Sequence, residues 1–172
     1  MGLSKTQFGN SGRRNMIING AMTVAQRGTS ATSSGATSAG YCTVDRYSVN
    51  QSNMDELVLT VTQESEGPSG FSNSLKVKTT TIEQAITSSP DEYANISYTL
   101  EGKDCQKLDY GTANGKDFTL SLWVKSSNTG NFSVTAYKKT SGSNDRLQDR
   151  QYTINTADTW EYKTLVFAGE TT

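Results

Sequence analysis

Phe118-Thr119-Leu120-Ser121-Leu122-Trp123-Val124-Lys125 alternates between two kinds of side chain without a break. A period of two matches a β-strand, whose successive side chains point to opposite faces, and does not match the 3.6-residue turn of a helix. Phe118, Leu120, Leu122 and Val124 are therefore expected on a buried face, with Thr119, Ser121, Trp123 and Lys125 on the other. A slip of one residue would bury Thr119, Ser121 and Lys125 and expose four large apolar groups, so the register is strongly specified. The next run repeats the pattern, with Phe132, Val134 and Ala136 set against Ser133, Thr135 and Tyr137. Leu57, Leu59 and Val61 form a third stripe of the same kind.

Working outward, strand-like runs are expected at 16–24, 41–50, 57–63, 74–80, 93–100, 118–125, 132–138, 151–154 and 160–167, about nine in all. Between them stand Glu66-Gly67-Pro68-Ser69-Gly70, Asn114-Gly115-Lys116-Asp117, Asn128-Thr129-Gly130-Asn131 and Ser141-Gly142-Ser143-Asn144-Asp145. Gly and Asn tolerate the positive φ that tight turns need, so these clusters mark chain reversals. Residues 28–40, almost all Gly, Ser, Thr and Ala, read as a long polar loop. Thr81-Ile82-Glu83-Gln84-Ala85-Ile86 is the one helical candidate, too short to change the class. Regularly spaced strands with such breaks imply an all-β antiparallel sandwich.

The chain has 172 residues, enough for a single two-layer core, and one domain over 15–172 is expected. Residues 1–14 are mostly small and polar, with Phe8 as the one aromatic group, and end in Arg13-Arg14. A segment of that composition cannot build its own core; it is either a disordered terminus or becomes ordered by lying against another protein.

There is no histidine. That removes Ser-His-Asp and Cys-His catalysis, His-ligated zinc and the usual neutral-pH proton shuttle. No nucleophile elbow, phosphate-binding loop, dinucleotide fingerprint or EF-hand loop is present. Among 17 carboxylates, Asp55-Glu56 and Asp91-Glu92 sit in polar, turn-like surroundings, so no acid pair of the glycosidase type stands out and no enzyme is expected. Net charge is −1 with Lys and Arg scattered, which excludes a field able to neutralise many phosphates, so nucleic acid is not an expected partner. Met1 to Lys5 leads into polar residues, so neither a secretory signal nor a membrane insertion is expected. Cys42 and Cys105 lack paired spacing and are expected as two reduced thiols. The triplets at Asn50, Asn95 and Asn131 match the glycosylation pattern only by chance in a chain made in a cytoplasm.

Arg14-Asn15-Met16-Ile17-Ile18-Asn19-Gly20-Ala21-Met22, then Ala25-Gln26-Arg27-Gly28 and Val44-Asp45-Arg46-Tyr47, followed by Asn73 to Val77, Phe118 to Ser126 and Ala157 to Lys163, resembles a jelly-roll domain of bacteriophage tail and head fibres. The resemblance runs from about Asn15 to Phe167. It implies a jelly roll, a virion location after synthesis in a host cytoplasm, a homotrimer, other virion proteins as partners, and attachment to the host surface or to the particle. On this reading residues 1–14, with Phe8, Arg13 and Arg14, anchor the chain to the particle. A jelly roll usually ends on a strand beside the first one, so the chain reads as part of a longer fibre or as one with an open edge.

The same motifs are similar to the jelly rolls of carbohydrate-binding modules, which implies the competing reading of a module from a polysaccharide-degrading enzyme. In those modules an acidic residue follows the opening Asn-Gly and helps hold calcium. Here Asn19-Gly20 is followed by Ala21-Met22, so no cofactor is expected, although Asp45 and backbone carbonyls remain as oxygen donors. Sugar rings stack on aromatic faces through apolar C–H edges. Trp123 and Tyr137, with Lys125 and Thr135 beside them, are accordingly the candidate platform for a host-surface polysaccharide; the other reading packs Trp123 under the N-terminal segment or a sister subunit.

Overall fold

A computed structural model describes residues 15–34, 40–85, 92–139 and 145–171. Phe8, Arg13, Arg14 and the expected N-terminal segment lie outside the described residues. Strands dominate and every ladder is antiparallel: β1 Ser30–Ser34, β2 Tyr47–Ser52, β3 Val58–Glu64, β4 Ser74–Thr81, β5 Tyr93–Tyr98, β6 Phe118–Val124, β7 Gly130–Lys138, β8 Arg146–Ile154 and β9 Glu161–Phe167. The ladders are β1-β3-β4, β2-β5, β6-β9 and β7-β8. The last strand pairs with β6 and the first with β3, so the first-to-last ladder of a jelly roll is not among those the described residues form. Contacts divide the chain between Leu100 and Glu101 into two compact units.

In the first unit the inward positions of β2, β3 and β4 meet. Val49, Leu57, Leu59 and Val61 are buried together, with Cys42, Met54, Leu75 and Val77 packed against them. Gln51 lies within this unit at 1 % exposure, accepting from the Ser33 hydroxyl at 2.9 Å and donating to the Leu57 carbonyl at 3.3 Å. A buried amide without partners would be costly, so these bonds are a condition of its burial.

Two expectations are corrected here. Residues 28–40 are not all loop: Ser30–Ser34 form β1, whose small inward residues Ala31 and Ser33 fit beneath a ladder to β3. Weak β-propensity is overridden by pairing and by the Ser33–Gln51 bond. Residues 16–24 are not a strand. Asn19 and Met22 take φ of 59° and 56°, in the left-handed region, which breaks any extended run. The Asn19 amide instead donates to the carbonyls of Val24 and Asp45 and accepts from the Val24 N–H, while Asp45 N–H donates back to Val24. Asp45 also accepts from Gln26 N–H and lies 3.8 Å from Arg27. Asn19-Gly20, Ala25 to Gly28 and Val44 to Tyr47 are thus one structural knot.

Other boundaries shift. β2 begins at Tyr47 rather than at 41, after Arg46 at φ 78°, and β8 begins at Arg146 rather than 151, because β7 supplies a full-length partner. The 81–86 candidate is not helical over its described residues; the short helix is Gly102–Cys105, continued by a 3-10 turn at Gln106–Leu108.

In the second unit the expected alternation holds along β6 and β7, and Leu108, Ile154, Leu165 and Phe167 are its most buried apolar residues. Cross-strand rings stack inside the pairs, Phe118 on Phe167 at 4.8 Å and Phe132 on Tyr152 at 5.8 Å. β8 and β9 share no ladder. Side chains of β8 bridge instead to the backbone of β9 and of the residue after it: the Gln148 amide exchanges two bonds with Ala168, and Arg150 donates to the Val166 carbonyl at 2.7 Å with its guanidinium over the Phe167 ring.

Candidate functional site

The β6–β9 ladder pairs Trp123 with Tyr162, Ser121 with Thr164 and Thr119 with Val166. Because β6 buries Leu120 and Leu122 in part and β9 buries Leu165 and Phe167, these six residues share the outward face. Trp123 is 38 % exposed, Tyr162 55 % and Val166 52 %. The two rings lie 5.2 Å apart and tilted by 54°, and the hydroxyls of Ser121 and Thr164 are 3.5 Å apart. The result is an uncharged strip with aromatic rings at one end, hydroxyls in the middle and methyl groups at the other.

The backbone under the rings is held from both strands. Glu161, next to Tyr162, accepts from Asn155 N–H and Thr156 N–H at 2.8 Å each, from the Asn155 amide at 3.0 Å and from Lys163 at 2.6 Å. The Lys163 bond first, then those from Thr156 and Asn155, lower its carboxyl pKa from the ordinary 4.5 to about 2. Asp158, left-handed at φ 54°, donates its N–H to the Ser126 carbonyl at 2.8 Å, tying the β8–β9 connection to the end of β6.

The four expected platform residues are distributed differently. Lys125 sets its ammonium 5.2 Å from the centre of the Trp160 ring. Tyr137 and Thr135 lie on β7, which pairs with β8 and not with β6. Tyr137 is 54 % exposed opposite Leu147 at 63 %; its hydroxyl donates to Asp145, a bond that is the leading cause of its raised pKa. Thr135 donates to Asp149. The ring brought against Trp123 is therefore Tyr162. The signal for it was present in the alternation Tyr162, Thr164, Val166 against Lys163, Leu165, Phe167, but nothing local says that β9 is the partner of β6.

Among the described residues no three Cys, Asp or Glu side chains converge on a point where a metal could sit. At the Asn19 knot the oxygen donors named above serve protein N–H groups. Among the same residues no helix is long and apolar enough to cross a membrane. Compared with protein families, with curated proteins and with solved structures, the chain matches none.

Proposed function

We propose that the chain is a virion appendage domain, a tail-fibre or head-fibre decoration domain, that attaches the particle to a host surface or is itself held on the particle. The observation that carries this reading is the outward strip of β6 and β9, where an exposed aromatic pair and two hydroxyls sit on a firmly braced backbone. Large exposed aromatics on an ordered sheet are what recognition surfaces use, because their contact area comes at low entropy cost. The fibre-like succession of sequence motifs supports the same reading. Binding rather than catalysis is the proposed activity, in keeping with a chain that has no histidine. A homotrimer and contacts with other virion proteins belong to the proposal through the resemblance. The strip equally favours a second reading, a carbohydrate-binding module of a polysaccharide-degrading enzyme.

Labelling of purified particles with antibody to the chain separates the two. Surface labelling together with a trimer by light scattering is the expected result. Recovery of the chain only in a soluble fraction, joined to a hydrolase, would retire the virion reading.

A further inference from the structure

We infer that the strip Thr119, Ser121, Trp123, Tyr162, Thr164 and Val166 binds a neutral polysaccharide. This rests on the attachment reading and names its ligand class. Three features select that class over others. The strip carries no ionisable side chain apart from the phenol of Tyr162, and Lys125, which follows Trp123 on the same face, holds its ammonium 5.2 Å from the centre of the Trp160 ring, so an acidic glycan or an anionic lipid surface would find one cation at its end rather than a cluster along it. It sets a pair of ring faces beside a pair of hydroxyls, which matches a sugar's apolar C–H faces and hydroxyl edges; of the two hydroxyl protons of Ser121 and Thr164 only one can be used between them, and an apolar peptide would cover the other without an acceptor. It is also a two-stranded surface in which equivalent side chains recur every 6–7 Å or so along each strand, suited to an extended repeating chain. The Tyr137 face differs on the first count, since Asp145 and Asp149 stand on it, hydrogen-bonded to Tyr137 and Thr135.

The test is affinity electrophoresis of the whole chain through native gels containing dextran, galactomannan or a soluble β-glucan, with alginate and hyaluronate as acidic counterparts. At least one neutral gel is expected to retard the chain and the acidic gels are not. Trp123→Ala, Tyr162→Ala and Thr164→Lys should each weaken retardation by about tenfold or more in apparent affinity. Thr164→Lys leaves both rings in place and adds a charge at the centre of the strip, so it tests the site without removing aromatic packing. Tyr137→Phe should behave as the wild type. Thermal melting identifies which variants are folded, and only those are read. Absence of retardation in every neutral gel, preference for the acidic gels, wild-type retardation of any folded strip variant, or loss of retardation in Tyr137→Phe overturns the inference. Particle labelling is independent of these gels: labelled particles with unretarded protein leave attachment standing with a different ligand, while retarded protein without labelled particles removes the virion reading and keeps the sugar site.

Discussion

Asn19 ties distant parts of the first unit together at a single side chain. Its amide joins two separate loops through three bonds at 2.9–3.0 Å, and its backbone sits at a φ that costs an alanine about 1–2 kcal/mol. Each bond contributes roughly 0.5–1.5 kcal/mol. Asn19→Ala should therefore destabilise by at least about 2 kcal/mol in urea unfolding, and Asn19→Gly should recover the backbone part while still lacking the bonds. Equal stability of the two variants would place the whole effect in the bonds. In the second unit Phe167 and Trp123 make an opposed pair of tests. Phe167 is 1 % exposed and stacked on Phe118, so Phe167→Ala should cost about 3–5 kcal/mol. Trp123, 38 % exposed, leans on Tyr162 across the strands in a pair worth on the order of 1 kcal/mol, so Trp123→Ala should lower the melting temperature much less than Phe167→Ala. A large drop would show that Trp123 packs rather than recognises.

At the scale of elements, the β8–β9 connection is held by a carboxylate, which makes it sensitive to acid. Glu161 has a folded pKa depressed from 4.5 to about 2, so its contribution is present above 4.5 and is lost as pH falls toward 2. Glu161→Gln should be less stable than the wild type at pH 7 and should approach it near pH 2, as followed by thermal melts across that window. A gap that persists unchanged at pH 2 would assign the effect to packing. The start of β6 is held differently, by close approach of two backbones. A Cβ on Gly115 would lie 2.3 Å from the Glu170 carbonyl oxygen, and backbone cannot move aside as a flexible side chain can. Gly115→Ala should cost about 1–3 kcal/mol through overpacking, measured by urea unfolding.

For the molecule as a whole, the attachment reading carries a prediction about its medium. A strip without charged side chains gains nothing from ion pairing, so polysaccharide retardation should be unchanged, within about a factor of two, between low salt and 0.5 M NaCl, where exposed charge pairs are screened. A steep salt dependence would relocate binding to a charged face such as that of Tyr137 and Asp149.

The sequence by itself determined which side chains of β6, β7 and β3 face inward, because one buried face makes a strand's register all or nothing. It also determined the all-β class and the breaks at 66–70 and 114–117, since Gly and Asn carry their conformational preferences locally, while Gly130 and Asn131 of the 128–131 cluster open β7 and residues 141–144 lie outside the described residues. Tertiary structure alone decided the partners. Ser30–Ser34 became a strand because β3 offered a ladder and Gln51 offered a bond, neither visible in a Ser-Thr-Ala run. Residues 16–24 looked like a strand by composition but were bent by Asn19, whose bonding partner Asp45 lies 26 residues away. The candidate site divided along the same line. That Trp123 faces outward followed from a period of two, whereas its neighbour Tyr162, 39 positions further on, was fixed by β6 pairing with β9 while β7 paired with β8. Facing is a local property of a pleated strand; adjacency is a choice among strands that only the fold resolves.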